Sequence, residues 1–142
     1  MKTLKSLVLG LALLITANIV KADEPAIAKL TKSYAISTYV NAATLGKNAG
    51  FAEIIDQTAK FSILRGKEVL SFSKAEMLKY AGENKDVRQE CTTSVSEVEG
   101  NADMSIVKVT MNYGTFTRTN YVTVANTGEG WKITNVYSVF KS

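Results

Sequence analysis

Two short stretches near the C-terminal end hold side chains able to recognise a ligand. From residue 131 to 140 the chain reads WKITNVYSVF. Side chains on a strand alternate between faces. Strict alternation puts Trp131, Ile133, Asn135, Tyr137 and Val139 on one face, and Lys132, Thr134, Val136, Ser138 and Phe140 on the other. An amide and a phenol among aromatic and aliphatic neighbours make a hydrogen-bonding patch on an apolar wall. That suits a small planar ligand if the face lines a cavity. If the face turns outward, the same residues make an interface between subunits. Arg118 has a similar double reading. With Phe116 and Asn120 on its face, it is either an anion clamp or a solvated cation, and the solvated cation is the expectation.

Much other chemistry is excluded by composition. The 142 residues contain no histidine and one cysteine. Imidazole acid–base catalysis, Ser-His-Asp and Cys-His nucleophile pairs, histidine zinc sites and CxxC motifs are therefore absent. No paired carboxylates stand at ligand spacing, so no metal is expected, and no cofactor is expected either. An intrachain disulfide is impossible with Cys91 alone, and its simplest role is that of a small buried hydrophobe.

With 46% hydrophobic and 21% charged residues and a mean hydropathy of +0.02, the composition is that of a globular chain of one domain. The first 22 residues differ from the rest. A basic start, Met1 to Lys5, leads into the apolar run Ser6 to Val20, and Val20-Lys21-Ala22 places small residues at the −3 and −1 positions before Asp23. This is the three-part pattern of a secretory signal peptide, and the run falls short of the ~20 residues of a spanning helix. The expectation is an exported protein, secreted or periplasmic, with a signal peptide over 1–22 and one domain over 23–142. Cleavage would remove Lys2, Lys5 and Lys21, leaving 14 of 17 basic residues against 13 acidic ones, a net charge of +1. That balance offers nothing to nucleic acid, and after cleavage nothing holds the chain at a membrane.

The elements that must position these residues follow from periodicity. Pro25 can open a helix. Ile27, Leu30, Tyr34, Thr38, Asn41 and Leu45 then recur at helical spacing before Gly46, which predicts one helix of about five turns. Asn48 can cap a short second helix carrying Phe51, Ile54 and Ile55. Thr58 to Leu64 alternates as a strand with Ala59, Phe61 and Ile63 on one side, and Val69 to Phe72 reads as a second. Ser73-Lys74-Ala75-Glu76 is a capping box that opens a third helix, closed at Gly82. Four β-rich runs follow, Val87 to Val98, Met104 to Tyr113, Phe116 to Ala125 and Trp131 to Phe140. Turn residues separate them, which predicts an antiparallel meander. Helices first and strands after give an α+β domain with helices on one sheet face.

This order resembles the nuclear transport factor 2-like superfamily over about residues 25 to 140. The more specific pieces are FAEIIDQTAKF (Phe51 to Phe61), the stretch from Gly66 ending in LSFSKAEMLKY at Tyr80, and YVTVANTGEGWKITNV (Tyr121 to Val136). The last is similar to the ending of SnoaL-like domains and of the small exported branch labelled lumazine-binding. The resemblance implies a cystatin-like cone, in which a long N-terminal helix and two short helices pack on a curved antiparallel sheet around a cavity. It also implies a homodimer through the outer sheet face. Enzymes of the superfamily place a tyrosine on the long helix and a carboxylate near the cavity mouth to move a proton beside a carbonyl. The matching positions are Tyr34 or Tyr39, and Asp56. A tyrosine on the apolar stripe of a helix, as Tyr34 is, is more often a core residue with its hydroxyl at the edge. The later strands offer only Glu90, Glu97 and Asp103 as further acids, all of which read as solvated.

The expected function is an exported, non-catalytic small-molecule-binding domain. Its apolar cavity would use Tyr34, Tyr39, Trp131, Asn135 and Tyr137 to hold a hydrophobic or planar ligand. The alternatives are an isomerase or dehydratase using Asp56, and a dimeric protein-interaction module.

Overall fold

The computed structural model describes residues 26–142. The leader over 1–22, its cleavage site and Pro25 lie outside the described residues. The first helix, α1 (Lys32–Leu45), begins later than the apolar spacing predicts. A single helical turn at 26–28 precedes it, but the two do not join. Continuity would give the Leu30 carbonyl to the Tyr34 N–H. Instead that carbonyl accepts from the Trp131 N–H at 3.0 Å, and the Tyr34 N–H donates to Thr31 Oγ1 at 3.1 Å. Thr31 is thus the N-cap, and Ile27 and Leu30 stay exposed. The buried side of α1 is Ala35, Thr38, Tyr39 and Thr44.

Gly46 ends α1 at φ 66°. A Cβ there would stand 2.6 Å from the Asp86 nitrogen and 2.7 Å from the Asn84 oxygen, so only glycine lets this corner close. The short helix expected after Asn48 is instead a run of turns over 49–54. Gly50, at φ 79°, takes the chain out of the helical region. Phe51, Ile54 and Ile55 are still delivered to the core.

Strands β1 (Ile55–Arg65) and β2 (Glu68–Ser73) form a hairpin. Helix α2 (Lys74–Glu83) follows from the expected capping box: the Glu76 N–H donates to Ser73 Oγ and the Ser73 N–H to Glu76 Oε1, each at 3.2 Å. The next strand starts five residues later than predicted, because 84–91 is spent on turns and irregular chain. Then β3 (Thr92–Gly100), β4 (Met104–Asn112), β5 (Thr117–Thr127) and β6 (Gly130–Lys141) form the antiparallel meander. The sheet order is β2-β1-β6-β5-β4-β3, with β1 and β6 parallel. The fold is therefore α+β, two helices on a six-stranded curved sheet.

One irregularity decides which side chains face inward. Ile133 pairs with Val124 and Asn135 with Thr123, so Thr134 is an extra residue, a β-bulge, on β6. The bulge shifts the alternation by one. Ile133 is buried before it, and Val136 and Ser138 are buried after it. These join Val107, Val109, Met111, Val122 and Val124 on the concave face, against Ala35, Tyr39, Phe51 and Phe61.

Candidate ligand-binding site

Between the concave sheet face and the two helices lies a cavity of about 600 Å³. Its walls are largely apolar: Phe51, Phe61, Phe72, Met77, Ala81 and Val136 are among them. A compact polar cluster in the wall comes from three elements. Tyr39 descends from α1, Arg118 and Asn120 stand two apart on β5, and Ser138 faces Asn120 across β6.

These four side chains form one network. Asn120 is 1% exposed. Its Nδ2 donates to the Tyr39 hydroxyl at 2.9 Å. Its Oδ1 accepts from Ser138 Oγ at 2.6 Å and from Arg118 Nε at 3.0 Å. Arg118 Nη2 donates to Ser138 Oγ at 3.2 Å, and the guanidinium lies 5.4 Å from the Phe140 ring centroid. Burial pushes the Tyr39 phenol up to about 12, against the opposing pull of the Arg118 charge and the Asn120 hydrogen bond. Tyr39 is therefore neutral at physiological pH. Its oxygen accepts from Asn120, and its own hydrogen has no protein acceptor among the described residues.

Of the five ligand contacts expected from sequence, Tyr34, Tyr39, Trp131, Asn135 and Tyr137, Tyr39 alone lines this cavity. Asn135 and Tyr137 do not, because the bulge at Thr134 turns them to the convex face, where Tyr137 stands opposite Tyr121 and Asn135 opposite Thr123. Trp131 stands by the start of α1, with Lys32 Nζ 5.4 Å from its ring centroid. Tyr34 is half-buried against the core, with its hydroxyl beside Gly50. Asp56 is outside the cavity lining. Its carboxylate accepts from the Thr58 hydroxyl and, at 3.0 Å, from the Thr58 N–H. Those two bonds, with Lys74 and Lys132 nearby, hold it below the usual carboxylate range. A proton-abstracting base needs the opposite shift. Arg118, expected to be solvated, instead lies in the cavity wall.

Asn120 and Ser138 were missed, and Arg118 was placed wrongly, although a signal existed. Val122 and Val124 mark the inward parity of β5, and extending it backward reaches Asn120 and Arg118.

The family described as "Putative lumazine-binding" matches residues 27–138. The chain belongs to this family. Solved structures described as nuclear transport factor 2-like or cystatin-like share its fold. An "NTF-2 like" protein of unknown function from Silicibacter pomeroyi DSS-3 superposes with a TM-score of 0.59 at 19% identity, covering 86% of this chain and 97% of its own. A cystatin-like fold protein from Burkholderia xenovorans LB400 gives 0.60 at 14% identity, over 78% and 88%. A "putative ketosteroid isomerase" from Parabacteroides distasonis ATCC 8503 gives 0.53 at 11% identity, over 74% and 83%. At these identities the likeness is one of fold. No curated protein matches the chain significantly. In this lumazine-binding family member, no described helix is long and apolar enough to cross a membrane. Among the described residues, no group of three His, Cys, Asp or Glu side chains could hold a metal ion.

Proposed function

We propose that this protein is an exported binder of a small, largely apolar molecule, held in the α1–α2–sheet cavity and not chemically altered there. The observation that carries the reading is the polar network of Tyr39, Arg118, Asn120 and Ser138 set into an apolar wall. A few fixed polar groups in an apolar cavity of this size are the hallmark of a small-molecule site. The family description points the same way. The carboxylates at the cavity edge are Glu76, which is engaged in the α2 capping box, and Glu83 at the end of that helix. Among the described residues neither carboxylate touches the network, so neither is placed to take a proton from a ligand bound against it. The export reading rests on the leader-like segment at 1–22.

The convex face supports a second element of the proposal, a homodimer. The directly opposed Tyr121 and Tyr137, with Asn135 beside them, give that face the amphipathic aromatics that interfaces favour. The test of the binding reading is native mass spectrometry of the protein isolated from its own host without harsh dialysis. A retained molecule of about a few hundred daltons supports it. A bare chain that also takes up nothing from a panel of apolar small molecules overturns it.

A further inference from the structure

We infer that the ligand is an organic carboxylate with an apolar body, its carboxylate taken by the guanidinium of Arg118. This rests on the small-molecule reading above and names the ligand class. Among the described residues the ion pairs are Lys32–Glu97 and Lys47–Asp86, so Arg118 has no acidic partner. Arg118 is half-buried in a largely apolar wall with no counter-charge, where an anion meets less screening by water than at the surface. Its geometry indicates what that is. Nε and Nη2 are engaged by Asn120 and Ser138, which lock the plane of the group. Both Nη1 hydrogens and one Nη2 hydrogen have no acceptor among the described residues, and that pair of nitrogens forms the second edge of the fork.

A planar edge with two parallel donors matches a carboxylate. The unspent Tyr39 hydrogen belongs to the same network, and neutral Tyr39 can donate it. The charge count also selects a monoanion. Arg118 is the one cation in the network, and the rest of the described lining holds two cations, Arg65 and Lys79, and two carboxylates, Glu76 and Glu83, so the lining carries one net positive charge. A phosphate dianion would be left half-neutralised. For the body of the ligand, Phe140, directly opposite Arg118 on β6, and Phe61 and Met77 supply apolar surface.

The test is calorimetric titration with three matched pairs: 2-naphthoate and 2-naphthylmethanol, decanoate and decanol, 4-phenylbenzoate and 4-biphenylmethanol. Wild type is compared with Arg118→Met and with Arg118→Lys, which keeps the charge but loses the fork, each checked for cooperative unfolding. The expected result is that at least one acid binds about tenfold or more tightly than its alcohol. That preference disappears in Arg118→Met and falls several-fold in Arg118→Lys. Equal affinity for acids and alcohols in wild type overturns the carboxylate inference while leaving the binding reading intact. So does an acid preference that survives both substitutions. Failure of all six compounds to bind overturns both.

Discussion

Asn120 and Ser138 meet across β5 and β6 with Ser138 Oγ 2.6 Å from Asn120 Oδ1, inside the buried layer of the sheet. From that contact the amide reaches Tyr39 on one side and Arg118 on the other, so one buried side chain orients the three other polar groups of the network.

Asn120→Ala is expected to be among the most damaging single substitutions in the sheet. It leaves Tyr39, Ser138 and Arg118 each short of a partner and opens a void, and unsatisfied buried groups and cavities together cost about 2–4 kcal/mol. Denaturant unfolding should show a lower midpoint with an unchanged slope. A loss under about 0.5 kcal/mol would mean the network is not held as described.

Tyr39 gives a pH signature. Its folded value of about 12 lies above the unfolded value of 10. The neutral phenol therefore favours the folded state fully below pH 10, and that contribution is lost as pH rises from about 10 to 12. Linkage makes the loss up to about 2–3 kcal/mol. Urea unfolding at pH 9 and at pH 11.5 should show a smaller alkaline loss in Tyr39→Phe than in wild type. Equal losses would refute the assignment.

Asp56→Asn separates binding from catalysis. Asp56 stands outside the cavity and is held below the usual carboxylate range, so ligand affinity should stay within about twofold. Its depressed value favours the folded state above the unfolded pKa, and this contribution is lost as pH falls through the folded one. The variant should therefore lose less stability in acid than wild type. A substrate whose turnover collapses in Asp56→Asn would reinstate the isomerase reading.

Gly46→Ala forces a side chain into a left-handed corner and within 2.6–2.7 Å of the backbone at 84–87. A loss of about 2 kcal/mol or more is expected in thermal or denaturant unfolding. Wild-type stability in this variant would show that the α1 to 84–87 junction is loose.

Tyr137→Glu addresses the convex face. Sedimentation should show the proposed dimer in wild type and a monomer in the variant, with ligand affinity unchanged because Tyr137 faces away from the cavity. A monomeric wild type would remove the dimer from the account.

Most of the architecture was legible because it is written locally. Ser73 and Glu76 announce α2, Gly46 ends α1, and the alternation of Val107, Val109 and Met111 marks a half-buried strand. What failed to show depends on partners remote in sequence. The start of α1 is set by Trp131 taking the Leu30 carbonyl. The inward face of β6 is set by a bulge that exists only in its pairing with β5. A strict alternation therefore placed Asn135 and Tyr137 on the wall that Val136 and Ser138 occupy. The polar heart of the cavity was harder still, since Arg118 and Asn120 look like surface residues until the parity of Val122 and Val124 is carried back to them.

Binding inside the cavity is tested by native mass spectrometry of wild type beside Ala81→Phe, in which the new ring enters the cavity from α2. A retained small molecule is expected on wild type and should be missing from Ala81→Phe. The same bound mass on both proteins would place the ligand elsewhere and contradict the cavity assignment.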